Sequence, residues 1–135
     1  MKNIIFIFAI LMVAAFSGCS MNRDAEVKAF VAEVDQLTTE IVRTIDARPA
    51  AGVDEAQKLL EARKDKLKTD FEKLKKLRGY ELSREMTDQF TEALTKNIAT
   101  IATLQIKYAE KSATDIHFGK KLDKLSADFN AIFEV

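Results

Sequence analysis

DAEVKAFVAEVDQLTTEIVRTIDARP, residues 24–49, is the stretch on which the fold turns. Val27, Phe30, Val31, Val34, Leu37, Ile41 and Ile45 recur at steps of three and four residues, the spacing that gathers side chains on one face of an α-helix. Glu26, Glu33, Asp35, Glu40 and Arg43 take the opposite face. Asn22 or Asp24 supplies a cap at the start. Pro49 closes the pattern, because a proline pushes the residue before it out of the α region.

The same period repeats downstream. Pro49-Ala-Ala-Gly52-Val53 reads as a connection, and Asp54 with Gln57 reads as a capping-box-like start to a second helix. Leu60, Leu67, Phe71 and Leu74 form its stripe, with Leu59 and Leu77 on the shoulder and Gly79 as the stop. Arg78-Gly79-Tyr80-Glu81-Leu82 makes a short turn. Ser83 caps a third helix, with Glu85 in its first turn and Met86, Phe90, Ala93, Leu94, Ile101, Leu104 and Tyr108 on its apolar face. The stripe fades around Lys111-Ser-Ala-Thr-Asp115 and resumes, rotated, as Phe118, Leu122, Leu125, Phe129, Ile132 and Phe133. An unbroken helix from Ser83 to the end would be about 75 Å long and would leave its far half unpacked. A break at residues 111–117 is therefore expected.

The expected fold is all-α, an antiparallel up-and-down bundle of four helices, or three if the last two are continuous. Composition agrees: 31% of residues are charged, and the chain has one proline, no tryptophan and four glycines. Its 21 basic and 21 acidic residues leave no global field to draw in nucleic acid, and none is expected as a partner.

Ahead of the bundle, Met1-Lys2-Asn3 carries one cation and Ile4–Phe16 is an apolar run of 13 residues. As a helix that run covers about 20 Å, short of the roughly 30 Å hydrocarbon core. A charged start, a short apolar core and small residues at the exit describe a secretory signal peptide. The exit, Phe16-Ser17-Gly18-Cys19, resembles the lipobox of bacterial lipoproteins in Ser17, Gly18 and Cys19, with Phe16 in place of the usual leucine. The resemblance implies cleavage between Gly18 and Cys19, acyl chains on Cys19 and a membrane anchor through them. With Ser20 next, it implies the outer membrane facing the periplasm. Cleavage after Ser17 is the competing reading, and it would leave Cys19 as a lone thiol. Only the lipobox accounts for the single cysteine at that position. The domain reading is a signal peptide at 1–18, a lipidated tether at 19–23 and one helical-bundle domain at 24–135. Without a second cysteine there is no intrachain disulfide, and stability must come from packing.

If the first helix rises from the tether, the end of the second returns toward the membrane. That end carries Lys73, Lys75, Lys76 and Arg78, in a run from Arg63 to Arg78 with eight cations and three acids. These four are the candidate contacts with anionic headgroups. The alternative is that they favour the helix dipole, with Glu72 and Lys76 forming a surface pair.

Signals of catalysis are few. His117 is the only histidine, and Thr114 lies three residues before it, so the Glu-x-x-His pattern of carboxylate-bridged metal bundles fails. No nucleophile elbow, phosphate-cradling glycine loop or calcium-loop spacing is found. Glu61 with Asp65 reads as a solvated pair. Neither an enzyme nor a cofactor or metal is expected. Asn97 interrupts the apolar face of the third helix, where a polar residue fixes register. Thr87, Thr91 and Thr95 form a ladder flanking Leu94 and Ile98, which reads first as solvated surface or close helix packing; the alternative is that Ile98, Ala102 and Ile106 extend this edge into a strip for a partner helix. The functional expectation is a non-enzymatic binding or scaffolding module of the bacterial envelope, engaging a periplasmic or envelope protein. Its alternatives are an inhibitor or immunity-type lipoprotein blocking a toxin or hydrolase, and a carrier of an apolar ligand between helices.

Overall fold

A computed structural model describes residues 23–77 and 81–134. Within them the chain is helical throughout: α1 Asp24–Ala47, α2 Pro49–Lys75, α3 Arg84–Lys107, α4 Ala109–Thr114 and α5 Ile116–Asn130. The all-α reading holds, with four long helices and one short one. No helix among the described residues is long and apolar enough to cross a membrane.

The stripes bury as their spacing requires. Val27, Phe30, Val34, Leu37, Ile41 and Ile45 of α1 face Leu60, Leu67, Phe71 and Leu74 of α2, Ile101 and Leu104 of α3, and Phe118, Leu122, Leu125 and Phe129 of α5. Ser83 caps α3, its Oγ accepting from the Met86 N–H at 3.1 Å. Asp115 caps α5 in the same way, accepting from Phe118 N–H at 3.0 Å. Asp115 is also the break expected within 111–117, with φ −124° and ψ 91°. An additional bend at Tyr108 separates α3 from α4. The helical ladder nearly bridges it, since Tyr108 N–H reaches Leu104 O and Ser112 N–H reaches Tyr108 O.

Two boundaries differ from the sequence reading. Asp24 does not cap α1: it lies in the first turn, and its carboxylate accepts from the backbone N–H and the hydroxyl of Ser83. Residues 49–53 are not a connection, and Asp54 does not cap α2. Arg48 alone joins α1 to α2, and Pro49 occupies the first helical position, where its missing N–H costs nothing. Asp54, already inside the helix, pairs with Lys121 of α5 at 2.8 Å. So tight a reversal brings the two backbones together at Gly52. A Cβ there would lie 2.2 Å from Thr44 O. Asn22, Gly79 and Tyr80 lie outside the described residues.

Neighbour relations follow from the polar contacts. Between α1 and α2, Arg48–Glu55, Glu40–Arg63 and Glu33–Lys66 fall in register for antiparallel helices. Between α1 and α3, Asp24–Ser83, Asp35–Asn97 and Asp46–Lys107 rise together, so these two run parallel. Asp54–Lys121, Glu61–Lys124 and Lys64–Asp128 make α2 and α5 parallel as well. Consecutive long helices therefore alternate in direction, as expected. The packing is of two antiparallel hairpins laid side by side, with α1–α5 and α2–α3 as the diagonals.

The seam between α2 and α5 is electrostatic at its edge. Asp128 accepts from Lys124 at 2.6 Å, Gln57 at 2.7 Å and Lys64 at 3.4 Å. These donors, Lys124 first, hold its carboxyl at about 2 against an ordinary 3.8. A depressed carboxyl contributes stability that is complete above about pH 4 and is lost as pH falls through about 2. With the side chain 24% exposed, solvent screening reduces the contribution to about 1–2 kcal/mol. Urea unfolding should show Asp128→Asn less stable than wild type by that amount at pH 5, with most of the gap gone at pH 2. An equal gap at both values would assign the loss to packing.

Candidate functional site

The end of the bundle where α1 starts is closed by the turn before α3. Arg23 N–H donates to Glu81 O at 2.8 Å, and Ser83 Oγ to Asp24 at 2.8 Å. Gly18, Cys19 and Arg78 lie outside the described residues. Lys73, Lys75 and Lys76 do stand at this end, on the last turn of α2 and its cap. They are not a bare cationic cluster. Lys73 lies 3.9 Å from Asp70. Lys75 lies 3.2 Å from Glu72 and 5.8 Å above the Phe71 ring, so Glu72 pairs three residues on rather than with Lys76. Surface pairs of this kind contribute little to stability, but Asp70 and Glu72 offset part of the positive charge at this end.

Little elsewhere suggests chemistry. His117 is exposed on the first turn of α5. Glu61 takes the Gln57 amide at 3.0 Å. Among the described residues no group of three or more His, Cys, Asp or Glu side chains is placed to hold a metal ion. The hydroxyls of Thr87, Thr91, Thr95, Thr100 and Thr103 each donate to the carbonyl four residues earlier, so they are satisfied within α3 itself. Beside this ladder Ile98 and Ala102 are half-buried, and Ile106 is 78% exposed.

An open groove of about 740 Å³ lies between α1 and α3, lined by Asp35, Thr38, Thr39, Val42, Arg43, Asp46, Ala47, Lys96, Asn97 and Thr100. It exists because the edges these parallel helices present to each other carry Thr and Asn where a sealed seam would carry Leu or Ile. Asn97, 3% exposed, is the polar residue that interrupts the α3 stripe. Its amide donates to Asp35 Oδ1 at 2.6 Å and Ala93 O at 2.8 Å, which pins α3 to α1 in one register. Thr38 is 4% exposed in the groove floor, and its hydroxyl has no protein partner among the described residues.

At the far end of the groove, Asp46 accepts from Lys107 Nζ at 2.8 Å and from the Tyr108 hydroxyl, and these two bonds hold it below the usual carboxylate range. Burial and the Asp46 carboxylate push the Tyr108 phenol up to about 12. Asp46 thereby clasps the bend that ends α3. On the other flank of α1 lies a smaller concavity, about 400 Å³, lined by Glu40, Arg43, Thr44, Glu55, Lys58 and Leu59. Arg43 stands on the ridge between the two.

Such an arrangement presents an open, polar-lined surface along α1, with Thr38, Asn97 and Arg43 along it and the Asp46–Lys107–Tyr108 cluster at its far end. Reading the sequence placed Arg43 only on a solvated face and singled out neither Lys58 nor Lys96. Their association depends on which helices are neighbours, and no helix stripe carries that information. Compared with known protein families, curated proteins and solved structures, the chain matches none.

Proposed function

We propose that the chain is a membrane-anchored lipoprotein of the bacterial envelope, held on the periplasmic side of the outer membrane by acyl chains on Cys19 and acting as a non-enzymatic binding or scaffolding module. The observation that carries the reading is the resemblance of Phe16-Ser17-Gly18-Cys19 to a lipobox, followed by a helical domain whose first helix begins at Asp24. Five residues of tether keep the start of α1 close to the bilayer. Two or three acyl chains on one residue make an anchor that is nearly permanent, at about 0.8 kcal/mol for each buried methylene. A bundle standing on such a tether turns its flanks and its Arg48 end toward the periplasm. The larger groove fits that geometry, because Asp35 lies about 16 Å along α1 from Asp24 and Ala47 closes the helix.

Metabolic labelling with a fatty-acid analogue tests the anchor. Wild-type chain expressed in a diderm bacterium should take up label and stay in the membrane pellet through a high-salt wash. Cys19→Ala should take up none. Label in both, or in neither, would refute lipidation at Cys19.

A further inference from the structure

We propose that the solvent face of α1, with Arg43 on its ridge and Lys58 and Lys96 on the helices either side, docks an acidic segment of a partner protein. In the two concavities flanking α1, every lining carboxylate is already engaged: Asp35 by Asn97, Asp46 by Lys107 and Tyr108, Glu40 by Arg63, and Glu55 by Arg48. The lining cations are the reverse. Arg43, Lys58 and Lys96 make no ion pair and donate no side-chain hydrogen bond among the described residues. Because the Asn97 amide is neutral, Asp35 keeps its charge, so three unpaired cations stand against one unneutralised carboxylate along these two concavities. The guanidinium there retains all five donors, in the fork that fits a carboxylate.

The three cations come from three helices, on both flanks of α1, so they do not converge on a single phosphate or carboxylate. A polypeptide segment crossing α1 meets all three in turn. Position favours a protein over a lipid surface, and this step rests on the tethering reading above. Arg43 lies 19 residues beyond Asp24, about 28 Å up α1 and about three Debye lengths from headgroups at the base. The occupant is therefore a glutamate- or aspartate-rich stretch of a protein, steered in by charge and sensitive to salt.

The test uses the full chain in a zwitterionic detergent, with fluorescence anisotropy of a labelled synthetic glutamate-rich peptide as probe. Wild type should bind it more tightly than the same peptide with lysine in place of glutamate. The variant Arg43→Glu/Lys58→Glu/Lys96→Glu should bind about tenfold or more weakly. The control Lys28→Glu/Lys68→Glu/Lys120→Glu removes the same number of exposed cations elsewhere and should change affinity by less than about twofold. Far-UV melting of both variants should match wild type, since none of the six side chains is buried. Equal weakening by the two variants would overturn the proposal, as would absence of binding by wild type. Displacement of the peptide by inorganic phosphate or by phosphatidylglycerol vesicles, dependent on the same three cations, would overturn it in favour of an anion or lipid site. Cys19→Ala should bind the peptide like wild type, so a failed anchor and a failed docking face are read separately.

Discussion

Phe71→Ala is expected to lower the unfolding free energy by about 3–5 kcal/mol, measured by urea denaturation at neutral pH. Phe71 is 6% exposed on α2. Its ring stacks on Phe30 of α1 at 6.2 Å, tilts against Phe90 of α3 at 6.2 Å and meets Phe133 edge-on at 5.6 Å. It thus spans the diagonal between two helices whose backbones do not touch, and it seats the chain beyond α5. Truncation removes the transfer free energy of the ring and leaves a cavity that three other rings cannot close without losing their own contacts. A loss below about 1 kcal/mol would mean that this end of the bundle is not packed as described.

Gly52→Ala is expected to destabilise by about 2–3 kcal/mol, against the direction that helix propensity gives. Propensity alone favours alanine over glycine inside a helix by about 1 kcal/mol. Packing opposes it. The added methyl would lie 2.2 Å from Thr44 O, 2.8 Å from Thr44 C and 2.9 Å from Ile45 Cα. All three are backbone atoms of α1, so relief requires moving one helix off the other at their tightest approach. The sign of the change decides the matter. A stabilised Gly52→Ala would mean that α2 does not start at Pro49 against α1.

Those two positions also mark how far the sequence could be read. Phe71 lay on a stripe of Leu60, Leu67 and Leu74, and its burial followed from period alone. Ser83 and the break before Phe118 were legible because caps and fading stripes are local signals. From sequence alone Pro49 and Gly52 signal a connection, because both are breakers by propensity. A proline at the first helical position and a glycine serving close approach give the same letters as a turn. Asn97 announced a buried polar contact, but not that Asp35 would answer it. Whether Lys75 or Lys76 meets Glu72 is settled by side-chain rotamers, which helix spacing leaves open.

That α1 and α3 run parallel follows from an up-and-down bundle, but that they lie side by side rather than on a diagonal could not be read. An amphipathic stripe says which face of a helix is buried and nothing about which neighbour buries it. The groove of Thr38, Thr39, Asn97 and Thr100 is a property of that pairing. The anchor shows the opposite asymmetry. Phe16-Ser17-Gly18-Cys19 is a purely sequence-borne signal, outside the described residues, and only the proposed lipidation of Cys19 would give the bundle a base.

The central claim is that the bundle stands on a lipid carried by Cys19, and intact mass spectrometry of the protein extracted from membranes tests it most directly. The predicted mass is that of a chain beginning at Cys19 plus two or three acyl chains and the glyceryl group. A chain beginning at Gly18 with an unmodified thiol, or one still carrying residues 1–18, would contradict it.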